Sequence, residues 1–163
     1  MAKYVDLHVH STASDGTCSP AEDVRLAAEA GLAAFALTDH DTTKGYREAA
    51  EELARLKAEN PELELELIPG VEISAGFNER DIHILGLFID PDNEELVREL
   101  REAEESRIKR TEKMIQRFKD IGIEITHEEL TQGAEKTVVT RAHFSRVLLA
   151  KGIVKTNAEA FEK

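Results

Sequence analysis

Short apolar stretches alternate with longer amphipathic ones over the first ninety residues of the chain. In the first stretch Val5, Leu7 and Val9 alternate with polar residues, which is the two-residue period of a strand. Comparable stretches follow at three later places. Four strands are therefore predicted, at residues 3–9, 32–38, 63–74 and 82–90.

Two helices are predicted between the first three strands. The first begins after Ser19, a good N-cap residue, with Pro20 at the first helical position and Glu22 as the capping-box partner. This helix ends at Gly31, and a second helix spans residues 44–59. Strands and helices in alternation predict an α/β fold, either a layered sheet or a barrel.

From residue 93 the pattern changes to charged helical segments. A long helix runs to Gly122, a short one begins at the Thr126 and Glu129 capping box, and another occupies residues 140–152. The predicted regions are a sheet-bearing part, a helical insertion and the start of a return to the sheet, at residues 1–92, 93–150 and 151–163.

The last segment carries a further helix start at Thr156, and the sequence stops seven residues later at Lys163. Nothing after Lys163 could complete that helix. A sheet of four strands could stand alone, whereas a closed barrel needs more strands. The sequence therefore predicts a chain that is cut short, and the activity of these 163 residues alone is an open question.

Composition and charge narrow the class of protein. With 41% hydrophobic and 33% charged residues, the chain is expected to fold. A net charge of −12 argues against an extended nucleic-acid surface, although bound cations could still recruit a phosphorylated substrate. No membrane span or signal peptide is predicted, and the single Cys18 fits a reducing compartment, so a cytoplasmic location is expected.

Potential metal ligands occur in all four strand regions. His8 and His10 share one face of the first strand because residues two apart point the same way, and Asp15 follows in the next turn. The other three strands carry their candidate ligands at or near their ends. The candidate ligands are His8, His10, Asp15, His40, Glu72 and His83.

Six nitrogen and oxygen donors exceed the needs of one tetrahedral ion. They suit two or three divalent ions, with a carboxylate such as Glu72 bridging between ions. The absence of a cysteine ligand favours Mn, Fe or Zn without deciding among them. Either Asp39 or Asp41, which flank His40, is expected to orient a ligand histidine. Taken separately, an H-x-H pair or one histidine in an apolar strand is more typical of packing than of metal binding.

Four motifs in this order closely resemble the PHP (polymerase and histidinol phosphatase) family of metal-dependent phosphoesterases: "DLHVHSTASDGTCSPAE", "ALTDHDTTKG", "IPGVEIS" and "DIHILGLF". The resemblance implies the amino-terminal part of a distorted (β/α)7 barrel with a helical insertion. It also implies a trinuclear metal site, in which His8, His10 and Glu72 hold one ion, Asp15 and His40 a second, and Glu72 with His83 a third.

The branch of the family with a helical insertion includes nucleotide phosphatases and a 5′ to 3′ exonuclease. The resemblance thus implies a hydrolase in which metal-activated hydroxide attacks a phosphate ester of a nucleotide or short oligonucleotide. By the same resemblance Arg141 and His143 in "TRAHFSRV" would contact the substrate phosphate. Arg107 and Arg110 could also approach a phosphate, but ordinary surface charge is the preferred interpretation for both. The family's later ligands, a histidine and an Asp-x-His pair, would lie beyond Lys163.

Two alternative functions remain open. Some PHP domains fused to polymerases resemble non-catalytic metal-binding modules, which would retain metal without hydrolysis. Histidinol phosphatases belong to the same family, although the helical insertion disfavours that activity here. A panel of phosphoester substrates would separate these possibilities.

Overall fold

The computed structural model describes residues 4–77, 80–132 and 137–162. Lys3, predicted to begin the first strand, lies outside the described residues. Four strands and six helices follow one another along the described chain, in the order β1 Val5–Val9, α1 Pro20–Glu29, β2 Ala34–Leu37, α2 Tyr46–Glu59, β3 Glu66–Phe77, β4 Arg80–Leu87, α3 Glu94–Asp120, α4 His127–Thr131, α5 Arg141–Ala150 and α6 Asn157–Glu162.

The strands form one mixed sheet in the order β1-β2-β3-β4. β1, β2 and the first part of β3 are parallel, with Val5 opposite Ala34 and Ala34 opposite Glu66. The later part of β3 pairs antiparallel with β4, from Gly70 opposite Leu87 onward. Among the described residues this sheet is open, so the predicted α/β class is confirmed at the level of a mixed sheet with helices.

Helices α1 and α2 cover one face of the sheet. The predicted start of α1 is confirmed, because Ser19 and Glu22 form a reciprocal capping box and Pro20 is the first helical residue. Gly31 follows the helix with a φ of 69°, a conformation that glycine adopts without strain. The core between these helices and the sheet is apolar and buried, and consists of Val24, Ala27, Phe35, Leu37, Ala49, Leu53, Leu65 and Leu67.

A second hydrophobic cluster lies within the helices after residue 93. α3 is 27 residues long and is preceded by the N-cap residue Asn93, whose side chain accepts a hydrogen bond from the backbone N–H of Leu96. At about 1.5 Å per residue this helix is roughly 40 Å long. Its second half packs on α4 and α5 through a cluster that includes Ile125, Leu130, Phe144 and Val147.

The two outer strands carry apolar side chains on the surface. Val5 on β1 is 55% exposed and Ile84 on β4 is 53% exposed. Phe88, directly after β4, is exposed as well. In the described part of the chain, no helix combines the length and the apolar composition that crossing a bilayer requires.

Candidate metal centre

β1 presents the first two imidazoles at its carboxyl end. His8 lies within the strand and His10 directly after it, so that both rings project to the same side. The Nε2 atoms of His8 and His10 lie 3.2 and 3.0 Å from Oε2 of Glu72. The predicted pairing of these two histidines on one face is therefore confirmed.

The loop after β1 folds back over His10 and brings Asp15 with it. Ser11 and Ser14 both donate hydroxyl hydrogen bonds to the buried carboxylate of Asp39, at 2.7 and 2.6 Å. Gly16 completes the turn by donating its N–H to the Ser11 carbonyl, at 2.9 Å. A Cβ at Gly16 would lie 2.0 Å from the carbonyl oxygen of His10, so no larger residue fits this turn. Asp39 thus holds the loop that positions Asp15.

Asp39 also acts on His10 through Ser14. The Ser14 hydroxyl donates its one hydrogen bond to Asp39. The Ser14 oxygen is therefore left to accept a hydrogen bond from Nδ1 of His10, which is 3.3 Å away. A proton on Nδ1 leaves the lone pair on Nε2, the atom that faces Glu72. The expectation that an aspartate flanking His40 orients a ligand histidine therefore has a physical route, in which Asp39 orients His10 by way of a serine.

His40 follows β2 and is held level with Glu72 by the backbone. The N–H of Glu72 donates to the Asp39 carbonyl and the N–H of Asp41 donates to the Glu72 carbonyl, at 3.1 and 2.9 Å. His40 is 8% exposed, and its Nδ1 lies 3.2 Å from Glu72 Oε2 without hydrogen-bond geometry. Its Nε2 lies 3.4 Å from Oδ2 of Asp15.

The β3–β4 hairpin supplies Glu72 and His83. In the antiparallel register Ser74 lies opposite His83, and Glu72 is two residues before Ser74 on the same face. This diagonal arrangement places Nδ1 of His83 2.9 Å from Oε1 of Glu72. Glu72 is 3% exposed, and its two oxygens face four imidazoles.

These distances fit divalent ions better than direct hydrogen bonds. Two ligands about 2.1 Å from one ion, at angles of 90–110°, are about 3.0–3.4 Å apart. Four of the donor separations around Glu72 and Asp15 fall in this range, and the other two, from His83 to Glu72 and from His10 to Asp15, are 2.9 and 3.5 Å. One carboxylate cannot accept well from four rings. Among the described residues three groups bring their donor atoms within 4.8 Å of one another: His8, His10 and Glu72; His10, Asp15 and His40; and His40, Glu72 and His83. All six predicted ligands belong to these groups.

The surroundings favour the protonation states that metal ligands need. Burial and the neighbouring His40 lower the pKa of His10 below its ordinary 6.5, so its ring is neutral at pH 7. Burial alone would raise the pKa of Asp15, but hydrogen bonds from His40 and Thr140 hold it well below its usual range. Glu72 likewise has a lowered pKa, because the surrounding histidines outweigh its burial. Neutral imidazoles and ionised carboxylates are the ligand forms of these side chains.

A cavity of about 300 Å³ lies between these groups and helices α3 and α5. Asp15, His40 and His83 line its inner side. Three arginines line the side formed by α3 and α5, namely Arg107, Arg110 and Arg141. The volume is at the lower end of the range for small-molecule sites.

Of the two residues predicted to contact phosphate, Arg141 faces the cavity and His143 does not. Arg141, the first residue of α5, lines the cavity. His143 is 2% exposed and lies outside the cavity lining, behind Thr140. Its Nδ1 accepts a hydrogen bond from the backbone N–H of Thr140, at 3.0 Å, and so completes the N-cap of α5. The Thr140 hydroxyl donates to Oδ2 of Asp15, at 2.9 Å.

Arg107 is not the ordinary surface charge expected from the sequence. Its side chain is 15% exposed and bonds to the buried carboxylate of Asp41. The reason is the position of α3, which runs across the carboxyl end of β2 and turns this residue inward. Sequence reasoning missed Arg107, and it missed Thr140, Ser11 and Ser14 as well. The serines had a signal, since they lie in the turn between the H-x-H pair and Asp15.

A mixed sheet with clustered imidazoles and carboxylates at one end defines a class of proteins with a site suited to divalent metal ions. The model of the PHP domain family matches residues 6–157, so the chain belongs to the PHP domain family. The resemblance noted from the four motifs is confirmed.

The relatives that match over almost the whole chain include an exoribonuclease and a phosphatase. The chain is 38% identical over 158 residues to the 5'-3' exoribonuclease Rnm of Escherichia coli, aligning 97% of this chain with 52% of that protein. It is 34% identical over 160 residues to a 3',5'-nucleoside bisphosphate phosphatase of Chromobacterium violaceum, aligning 98% of this chain with 54% of that protein. The chain thus spans about half the length of these relatives.

Two solved structures share the fold over almost the whole chain. One is a protein of Bifidobacterium adolescentis described as a metal-dependent phosphoesterase, with a TM-score of 0.85, 31% identity, and coverage of 100% of this chain and 55% of that one. The other is described as an amidohydrolase from Chromobacterium violaceum with bound sulfate, with a TM-score of 0.85, 34% identity, and coverage of 98% and 54%.

Proposed function

We propose that this protein is a metal-dependent phosphoesterase that hydrolyses a phosphate ester of a nucleotide or short oligonucleotide. The observation that carries the proposal is the convergence of four imidazoles on Glu72, with Asp15 close to two of them, beside a cavity with three arginines. The named relatives support the substrate class, because one is an exoribonuclease and another a nucleoside bisphosphate phosphatase. We propose no extended nucleic-acid surface, since the net charge is −12.

The proposed cofactor is a set of two or three divalent ions, of Mn, Fe or Zn. His8, His10 and Glu72 would hold the first ion, and Asp15 with His40 the second. Glu72 with His83 would hold the third, its Oε1 being 2.9 Å from the His83 ring. When bound, such ions acidify water and neutralise charge on phosphate oxygens.

The side chains around the ions have separate proposed tasks. Asp39, through Ser11 and Ser14, fixes the loop that carries Asp15. Arg141 would bind a phosphate oxygen from the insertion side of the cavity, since its planar guanidinium can donate two parallel hydrogen bonds. For His143 we propose an indirect role, in which the buried ring holds the first turn of α5 and thereby the position of Arg141.

We also propose that the open sheet is the amino-terminal part of a larger PHP barrel, with residues 93–150 as its helical insertion. The two solved structures support this proposal, because the chain aligns with little more than half of each. Ligands from outside these 163 residues would then raise the affinity of the ions.

The test measures phosphate release after loading the protein with Mn²⁺ or Zn²⁺. Adenosine 3',5'-bisphosphate, a 5'-phosphorylated RNA pentamer and histidinol phosphate form the substrate panel, and bound metal is measured by mass spectrometry. We expect turnover of the nucleotide substrates, with a loss of about 100-fold or more in Glu72→Gln. His127→Ala changes an exposed histidine on α4 and is the matched control.

The outcomes discriminate among the alternatives. Metal retention with no hydrolysis of any substrate would replace the proposal by a non-catalytic metal-binding module. Preference for histidinol phosphate would move the protein to the histidinol phosphatase group. Turnover that is equal in Glu72→Gln and the unmodified protein would place the chemistry elsewhere.

A further inference from the structure

Arg107 joins the helical insertion to the strands that bear the metal ligands. It lies in the middle of α3, and its guanidinium uses three different nitrogens. Nε donates to Oδ2 of Asp41 and Nη2 donates to the Ser74 hydroxyl, each at 2.5 Å. Nη1 lies 3.5 Å from the Val139 carbonyl. We call Arg107, Asp41, Ser74 and the Val139 carbonyl the clasp.

Two members of the clasp lie close to proposed ligands in the chain, since Ser74 comes two residues after Glu72 and Asp41 comes directly after His40. Asp41 follows His40, and its N–H donates to the carbonyl of Glu72. Its Oδ1 accepts from the N–H of Ser74, at 2.8 Å, so this carboxylate already links the end of β2 to β3. Arg107 occupies the other oxygen, and its position is therefore set by the same backbone that places His40 and Glu72.

The third contact of the clasp lies on the insertion itself. Val139 immediately precedes Thr140, whose hydroxyl donates to Asp15, and Arg141 comes next on the cavity wall. One guanidinium thus connects α3, the start of α5 and the ligand-bearing strands. The cavity lies among these three elements.

The burial of the clasp indicates a geometric role. Asp41 is 2% exposed and adopts a φ of 51°, which is unusual for a residue other than glycine. A buried ion pair gives little net stability compared with apolar packing, but it fixes one geometry because a displaced charge would lack its partner. With three of its nitrogens occupied by the protein, the Arg107 guanidinium is poorly suited to bind phosphate as its main task.

We propose that Arg107 is a positioning residue that sets the distance between the insertion and the metal centre. This distance determines how well the cavity fits the part of the substrate that lies beyond the reacting phosphate. This inference rests on the proposed phosphoesterase function. Loss of the clasp would let α3 and the Val139–Arg141 segment move away from the ligands. A nucleotide, which must fill the cavity, would be affected more than a small aryl phosphate that occupies the centre alone.

The test compares Arg107→Met and Arg107→Lys with Arg98→Met, an exposed arginine of the same helix whose side chain is 62% exposed. We expect kcat/KM for adenosine 3',5'-bisphosphate to fall about 10- to 100-fold in Arg107→Met, mainly through KM. For p-nitrophenyl phosphate the fall should be less than about threefold. Arg107→Lys keeps the charge but not the three-point geometry, so its kcat/KM for the bisphosphate should lie between those of Arg107→Met and the unmodified protein.

A second measurement does not depend on activity. Amide hydrogen exchange should become faster in residues 107–114 and 139–142 of Arg107→Met and stay unchanged in Arg98→Met, with the same bound metal in both. Unchanged exchange in these segments would overturn the inference, as would equal losses on both substrates. If the unmodified protein hydrolyses nothing, the proposed function fails, and the exchange result alone decides whether Arg107 holds the insertion in place.

Discussion

Two buried ionisable residues outside the ligand set show how single side chains tie stability to pH. His143 supports the N-cap of α5, where a glutamate or glutamine is the usual partner in a capping box. Asp23 lies on α1, where it is 9% exposed, and its Oδ2 has no hydrogen-bond partner within the described part of the chain. Both prefer the neutral form in the folded protein, so they act in opposite directions as the pH changes.

His143 should make the fold sensitive to acid. Burial and the nearby charge of Arg146 lower its pKa from 6.5 to about 4, and protonation of Nδ1 would also break the bond from Thr140. The neutral ring contributes fully to the free energy of unfolding above pH 6.5. This contribution, up to about 3 kcal/mol, is lost as the pH falls from 6.5 through 4, because the unfolded chain takes up the proton first. His143→Gln keeps the capping partner without the titration, so urea unfolding should show a smaller loss between pH 6.5 and 4.

The exposed His127 provides the control for this measurement. His127→Gln should follow the unmodified protein across the same pH range. An acid loss that is as large in His143→Gln as in the unmodified protein would contradict the assignment to His143.

Asp23 should have the opposite effect. Burial, followed by the charges of Asp39 and Glu22, raises its pKa from 3.8 to about 7. The folded state therefore binds the extra proton between these values, and stability falls as the pH rises from about 4 to 7, by up to about 4 kcal/mol. Asp23→Asn should raise the unfolding free energy at pH 8 by about 2 kcal/mol and have little effect at pH 4. Glu29→Gln, an exposed change on the same helix, should leave the pH dependence unaltered.

At the scale of elements, the turn after β1 depends on one residue without a side chain. A methyl group at Gly16 would meet the carbonyl carbon and oxygen of His10 at 2.5 and 2.0 Å, and neither backbone atom can move without moving this proposed ligand. Gly16→Ala should therefore destabilise the protein by about 2–4 kcal/mol. Displacement of Asp15 should also weaken Mn²⁺ binding about 10-fold or more, as measured by calorimetry.

Gly76 on β3 provides the matched substitution, since a Cβ there meets no atom of the described residues within 4 Å. Gly76→Ala should leave the stability and the metal affinity close to those of the unmodified protein. Equal metal affinity in Gly16→Ala would show that the turn does not position Asp15.

The sequence predicted most elements well and the contacts between them poorly. The capping boxes at Ser19 and Thr126 placed two helix starts correctly, because such signals are local. The sequence also contains a signal for the direction of β4. Residues 75–81 are too few for the crossover that a parallel pair needs, so the third and fourth strands have to form an antiparallel hairpin. Arg107 had no such signal, because its partner Asp41 is 66 residues away and no helical pattern specifies it.

At the scale of the whole molecule, metal binding should add measurably to the stability of the fold. The proposed ligands come from β1, the loop after it, the end of β2 and the β3–β4 hairpin, so an ion joins segments that are distant in sequence. Free Mn²⁺ at 100 times its dissociation constant should contribute about 2.7 kcal/mol. For a chain of this size the midpoint of thermal unfolding should rise by about 5–10 °C.

Chelation should reverse this rise, which differential scanning calorimetry with and without EDTA would measure. Glu72→Gln should lose most of the shift, because Glu72 faces four of the imidazoles. His127→Ala should keep all of it. A shift of the same size in Glu72→Gln would mean that Mn²⁺ stabilises the fold from some other place.

The three donor groups share members, and this sharing has a consequence for metal loading. His10 belongs to the first and second groups and His40 to the second and third, whereas a neutral imidazole has one lone pair to give to one ion. An ion that captures either ring depletes the neighbouring group, and it adds electrostatic repulsion only a few ångströms away. Successive ions should therefore bind with declining affinity, in a negatively cooperative titration rather than as independent equivalents.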